Sequence, residues 1–221
     1  MRPLAELINS DDSALPMIQE FAGRIPGRCI ILPVSRNSGD VLYHTQVTTR
    51  SPMGAIIYHT GGIFVDGWLR ILGSGSEQIQ RSLPDWNAGR SSGFCLVADD
   101  IVGGFFAIDG GSLGHSQGDV CYWGPDSLDW ISLGRGFTDF LHWAMAHDFD
   151  EFYSALRWPK WREDALQLTG DRCFSFYPFL WTHEGSIQGS HRSTVPISEA
   201  FDSKVDILRQ LSQNQGEHKS P

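Results

Sequence analysis

The stretch from residue 94 to 145 constrains the fold more than any other part of the chain. Short apolar runs alternate there with Gly and Asp turn signals, and the stretch closes on one amphipathic segment. Phe94–Ala98 is a short apolar run ended by Asp99-Asp100, and Val102–Ile108 is a second run opened by glycines. Asp109-Gly110-Gly111 supplies a turn, because glycine reaches positive φ without steric cost. Asp119–Trp123 is a third strand, broken by Gly124-Pro125-Asp126, and Leu128–Leu133 a fourth. Four short strands with tight connections predict an antiparallel meander. After Gly134, the residues Phe137, Phe140, Leu141 and Ala144 fall at helical spacing, so one helix face packs on the sheet.

The rest of the chain is read around this centre. Ser10-Asp11-Asp12 is a capping cluster for a helix from about Ser13 to Ala22, followed by a buried strand over Cys29–Pro33. Val41–Thr49 is rich in β-branched residues and predicts a strand, with Ala55–His59 returning beside it. Further short strands fall at Ile63–Val65 and Trp68–Leu72, and a short helix over Glu77–Leu83 ends at Pro84. A helix is expected over Lys160–Leu168, an edge strand or extended run over Phe174–Trp181, and a polar loop over Thr182–Ser193. Ile197, Ala200, Phe201, Val205, Leu208 and Leu211 form an apolar stripe on a helix over Pro196–Ser212. The expected fold is α+β: a single domain over residues 1–213, with a mostly antiparallel central sheet, helices packed on one side, and a disordered tail over 214–221.

Charge and composition narrow the function. The net charge of −9 disfavours nucleic acid as a partner, since phosphate backbones are repelled, and suits a basic protein partner. No stretch approaches the length of a membrane span, and Met1–Asp12 has no apolar run of a signal peptide. Cys29, Cys95, Cys121 and Cys173 form no Cys-x-x-Cys pair and read as reduced thiols, so a cytoplasmic location is expected.

No catalytic constellation emerges. Gly114–Gly118 matches G-x-S-x-G, but a nucleophile elbow needs a strand before it and a helix after it, and here a strand follows. Leu72–Ser76 lacks the third glycine of a dinucleotide loop and the Gly-Lys pair of a phosphate loop; Ser76 reads as a helix cap. Asp99, Asp100 and Asp109 are expected to form solvated turns, with an acidic binding patch second; adjacent aspartates in an extended chain point to opposite sides, which spoils a paired-carboxylate site. The histidines have no zinc spacing, so neither a metal nor a cofactor is expected. Arg157-Trp158-Pro159-Lys160-Trp161-Arg162 is the least ordinary string for an acidic chain: either a site for a base, carboxylate or phosphate, or a helix entry with Trp158 and Trp161 in the core. Thr48-Thr49-Arg50-Ser51 is either an anion pocket or a hydrogen-bonded turn.

Five runs carry a resemblance: QVTTRSPMGAIIYHTGG (46–62), GWLRILGSGS (67–76), ADDIVGGFFAIDGG (98–111), RWPKW (157–161) and YPFLW (177–181). Over nearly its whole length the chain resembles the bacterial domain-of-unknown-function family 2625, which implies a fold and no activity. The order of turns and strands over about residues 66–147 also resembles the SUKH superfamily, which includes toxin-immunity proteins and a fungal cell-wall regulator. That second resemblance implies a non-enzymatic module that binds a protein partner, a toxin being one such partner. The rival expectation is a small-ligand binder or an enzyme with an anionic substrate, in a cleft bordered by Arg50, Asp66, Arg70 and the Arg157–Trp161 segment.

Overall fold

A computed structural model of the chain describes residues 1–146 and 148–217. Seven strands form one sheet: β1 (Cys29–Ile31), β2 (Gly62–Val65), β3 (Leu69–Leu72), β4 (Phe94–Asp100), β5 (Phe105–Asp109), β6 (Val120–Trp123) and β7 (Ile131–Ser132). They lie side by side in chain order and every neighbouring pair is antiparallel. The meander expected within 94–133 is therefore present, and β1–β3 extend it at its N-terminal edge. A separate hairpin is made by β8 (Arg172–Tyr177) and β9 (His191–Pro196).

The helices are α1 (Leu4–Leu7), α2 (Leu15–Gly23), α3 (Ser38–Thr45), α4 (Pro52–His59), α5 (Leu83–Asn87), α6 (Phe137–Ala144), α7 (Asp148–Phe152), α8 (Trp161–Ala165) and α9 (Ile197–Glu217). The α+β class holds, but helices cover both faces of the sheet rather than one. Phe105 and Phe106 are adjacent in β5 and so point to opposite faces. Phe105 meets Phe201 of α9 at 5.0 Å between ring centroids and Trp86 of α5 at 6.4 Å. Phe106 meets Phe140 of α6 at 5.1 Å. The physical reason is that β6 is buried along its whole length, so both faces are apolar and each needs a cover.

Two segments expected as strands are helices. Residues 41–45 belong to α3, with Val41 and Leu42 in the core, 46–49 are turn and loop, and 55–59 belong to α4. Ser51 caps α4 by accepting from the Gly54 N–H, and Pro52 occupies its first turn, where a missing N–H costs nothing. Ala55, Ile56 and Ile57 are all buried, and a short apolar run of this kind has no periodicity to separate strand from helix. No helix forms over 77–82. Instead Ser82 caps α5, and Pro84 opens that helix rather than ending one. The polar loop expected over 182–193 runs into β9, a largely exposed strand that pairs with β8. The C-terminal helix is present and continues to Glu217; residues 218–221 of the expected tail lie outside the described residues.

Candidate functional site: a cleft around Asp66

The β2–β3 connection builds the site. Asp66 (φ +56°) and Gly67 (φ +66°) are both left-handed, and Trp68 N–H donates to Val65 O at 2.9 Å. This is the tight turn whose twist matches antiparallel strands, and Asp is one of the few non-glycine residues that tolerates it. The turn holds the Asp66 carboxylate beside the entry to β1. Arg28 Nε donates to it at 3.1 Å, Arg157 Nη2 at 3.2 Å, and Arg162 Nη2 reaches both its oxygens, at 3.3 and 3.1 Å. Asp150 accepts from Arg28 Nη2 at 2.7 Å and Arg157 Nη1 at 2.8 Å. Three guanidiniums thus share two carboxylates, leaving one positive charge in excess. The hydrogen bond to Asp66 raises the pKa of Arg28 against the opposing pull of burial. Burial raises the pKa of the Asp150 carboxyl, but the hydrogen bonds from Arg157 and Arg28 outweigh it and leave the value low.

The string Arg157–Arg162 divides its members between core and surface. Trp158 and Trp161 are buried and pack on Trp68, at 6.0 and 5.0 Å between centroids. This is the helix-entry alternative for the two tryptophans. Trp158 Nε1 donates to Asp164 Oδ2 at 2.6 Å. Arg157 lies over Trp161 at 4.5 Å and Arg162 over the same ring at 4.2 Å, so one aromatic surface orients both cations. The Arg162 side chain remains 61% exposed.

These groups border a cleft of about 400 Å³ whose lining includes Arg28, Asp66, Arg162, Ile30, Phe64 and Leu166. Leu166 is 83% exposed and Ile30 52%. Of the expected border, Asp66, Arg157 and Trp161 come together, but of these three only Asp66 is in the lining. Arg70 lines the cleft, but its guanidinium is committed: Nε donates to Asp99 at 2.6 Å, Nη1 to Arg172 O at 2.5 Å and Nη2 to Asp100 O at 2.9 Å. Arg50 is not in the lining; it pairs with Asp12 at 3.4 Å on the surface. Its neighbours form the hydrogen-bonded turn, with buried Thr49 Oγ1 accepting from Asn9 N–H and Ser51 capping α4.

Asp99, Asp100 and Asp109 are buried rather than solvated. Asp99 and Asp100 do point to opposite sides of β4. Asp99 accepts from Arg70 and Arg81 on one side. On the other, Asp100 accepts from the N–H groups of Val102 and Gly104 and from the hydroxyls of Tyr122 and Tyr153, at 2.7 to 3.0 Å. Burial raises the Asp100 pKa despite these four donors. Asp109 accepts from the N–H groups of Gly111, Ser112, Leu113 and His115, which organises the loop after β5. Burial pulls its pKa upward, but the four donors prevail and lower it. Enough donors surround each carboxylate to replace water, which is why a charged pair of residues in a turn-like sequence enters the core.

Arg28, Ile30 and Leu166 line the cleft, Asp150 pairs with Arg28, and none of them carried a recognisable pattern. Arg28 stands just before a strand, and nothing local announces that Leu166 is left in solvent. Among the described residues, no three His, Cys, Asp or Glu side chains gather as metal ligands would, and no helix is long and apolar enough to cross a membrane.

With the fold and cleft described, comparison with known proteins places the chain. Residues 4–200 match the family model described as "Protein of unknown function DUF2625". The chain belongs to this family. A DUF2625 relative from Escherichia coli K12, the uncharacterised protein YbfG, is 39% identical over 220 residues, which span 96% of this chain and all of YbfG. An uncharacterised protein of Haemophilus influenzae Rd is 39% identical over 189 residues, covering 81% of this chain and 83% of that protein.

Proposed function

We propose that this DUF2625 chain is a non-enzymatic protein-binding module and that the Asp66 cleft is its docking surface. The observation that carries the reading is Leu166, 83% exposed at a cleft it shares with Ile30 and Arg162. Covering a leucine side chain contributes about 1.5–3 kcal/mol, so this residue is an anchor awaiting a cover. The excess positive charge selects the occupant: an apolar segment of a partner that carries an acidic side chain. The resemblance to SUKH proteins supports the same class of function, with a toxin as the partner and the unit 1–213 acting as an immunity protein. A cytoplasmic site of action fits the four free cysteines.

Affinity capture with the full chain tests this. One stoichiometric protein, retained by wild type and Leu211→Glu and lost by Arg162→Glu and Leu166→Glu, is expected. Retention by both cleft variants would sink the reading. A second reading rests on the cleft's volume, which lies in the range of small-ligand sites. An anionic small molecule co-purifying with wild type and absent from Arg162→Glu would favour it.

A further inference from the structure

Helix α9 carries a lysine in an environment unlike that of any surface lysine. Lys204 is 4% exposed. Its Nζ donates to Gly124 O at 2.6 Å, its one hydrogen-bond acceptor among the described residues. The same atom lies 4.2 Å from the Trp123 ring centroid and 5.9 Å from that of Trp181. An ammonium has three N–H donors, so two are left for which the protein supplies no acceptor. Asp100 and Asp126 act on it through space only, and burial, the dominant influence, lowers its pKa to about 7. A charge held this way is either given up with its proton or kept by a group that comes to pair with it.

Beside Lys204 is a half-open cavity of about 190 Å³, lined by the β8–β9 hairpin, the segment after β8, one face of α9, the β4–β5 turn and Pro125. Phe174, Phe176, Phe179, Trp181 and Ala200 are among its walls. Phe179 and Trp181 stack at 4.3 Å, which fixes the wall contributed by the hairpin loop. An apolar cavity of about 150 Å³ is large enough to take up benzene. The space here therefore fits one aromatic ring with a small substituent. Glu199, also in the lining, is exposed to solvent, so the buried end of the cavity is cationic.

We propose that this cavity is a binding site for a small aromatic monocarboxylate, with the carboxylate on Lys204 and the ring among the aromatic walls. The carboxylate supplies the acceptors that the ammonium lacks, and the ring packs against the aromatic walls. The site is separate from the Asp66 cleft, so it stands or falls independently of the docking surface.

Titration calorimetry on the full chain with sodium benzoate, and with benzyl alcohol as its uncharged counterpart, tests this. Benzoate is expected to bind with a dissociation constant of about 1 mM or tighter, the scale a ligand of this size can reach. Benzyl alcohol should bind at least about tenfold more weakly, the factor expected when a charge-assisted hydrogen bond is lost. Lys204→Met should abolish that preference by weakening benzoate alone. Ser203→Phe, an exposed cavity-lining position on α9 that can be enlarged without disturbing the core, should block both probes. No benzoate binding to wild type, equal binding of the two probes, or unchanged benzoate affinity in Ser203→Phe would overturn the proposal.

Discussion

Two clusters in this molecule are made of the same parts and do different things. Asp66 and Asp99 are each buried aspartates that gather guanidiniums: Arg28, Arg157 and Arg162 around the first, Arg70 and Arg81 around the second. Around Asp99 the charges close on themselves. Arg81 continues to Asp171 at 2.8 Å and to Gly170 O at 2.8 Å, while Arg70 reaches Arg172 O. Two cations meet two carboxylates, with Asp171 partly exposed and the rest buried, and the group fastens the central sheet to the start of β8. Around Asp66 one positive charge is left over, and Arg162 carries it into solvent beside exposed apolar side chains. Residue type does not distinguish a brace from a site; leftover charge and access to water do.

Breaking the closed cluster should have the largest effect. Asp99→Ala leaves two buried guanidiniums without their shared carboxylate and is expected to lower stability by about 3–5 kcal/mol, read by urea denaturation. An unchanged midpoint would show that the core cluster is not a brace.

The two buried carboxylates that accept only neutral donors should pull the pH profile in opposite directions. The folded pKa of Asp100 is raised, so its contribution is fully present below the unfolded value of about 3.9 and is lost as pH rises through the folded value. The folded pKa of Asp109 is lowered, so its contribution is present above that unfolded value and is lost as pH falls through the folded one. Asp100→Asn should flatten the fall in stability as pH rises above about 3.9, and Asp109→Asn the fall as pH drops below it; the reverse assignment would refute the burial argument.

Opening the open cluster should cost little stability. Arg162→Ala removes an exposed partner and is expected to change stability by about 0–1 kcal/mol. The same variant should lose the captured protein. A loss of several kcal/mol would make Arg162 a second brace and remove the contrast.

The smallest effect concerns the thiols. Burial raises the pKa of Cys29, Cys95 and Cys121 to about 11 and that of Cys173 to about 12. Almost no thiolate exists at neutral pH, so the native chain should resist iodoacetamide, with alkylation appearing only on unfolding. Rapid labelling of the folded protein, followed by mass spectrometry, would contradict this.

The meander from β4 to β6 was legible because each strand is a short apolar run between Gly or Asp turns, a pattern with one economical fold. The opposite directions of Asp99 and Asp100 followed from the period of a strand. Their burial did not, because it depends on Tyr122, Tyr153, Arg70 and Arg81 arriving from elsewhere in the chain. Helices α3 and α4 were hidden for a related reason: α3 has no side-chain cap, the Ser51 cap of α4 read as a turn, β-branched content argued for strands, and tertiary packing decided otherwise. Half of the cleft was legible in the Arg157–Arg162 string. The other half, Arg28 and Leu166, is ordinary in sequence and becomes notable only when the β2–β3 turn sets Asp66 between them.

Site-specific photocrosslinking tests the docking surface most directly. A benzophenone amino acid placed at Leu166 or, as a control, at Leu211 is irradiated in growing cells, and adducts of the full chain are resolved by mass. One adduct of a single defined mass from position 166 and none from position 211 is expected. No adduct at 166, or the same adducts at both positions, would contradict the assignment of the Asp66 cleft as the binding surface.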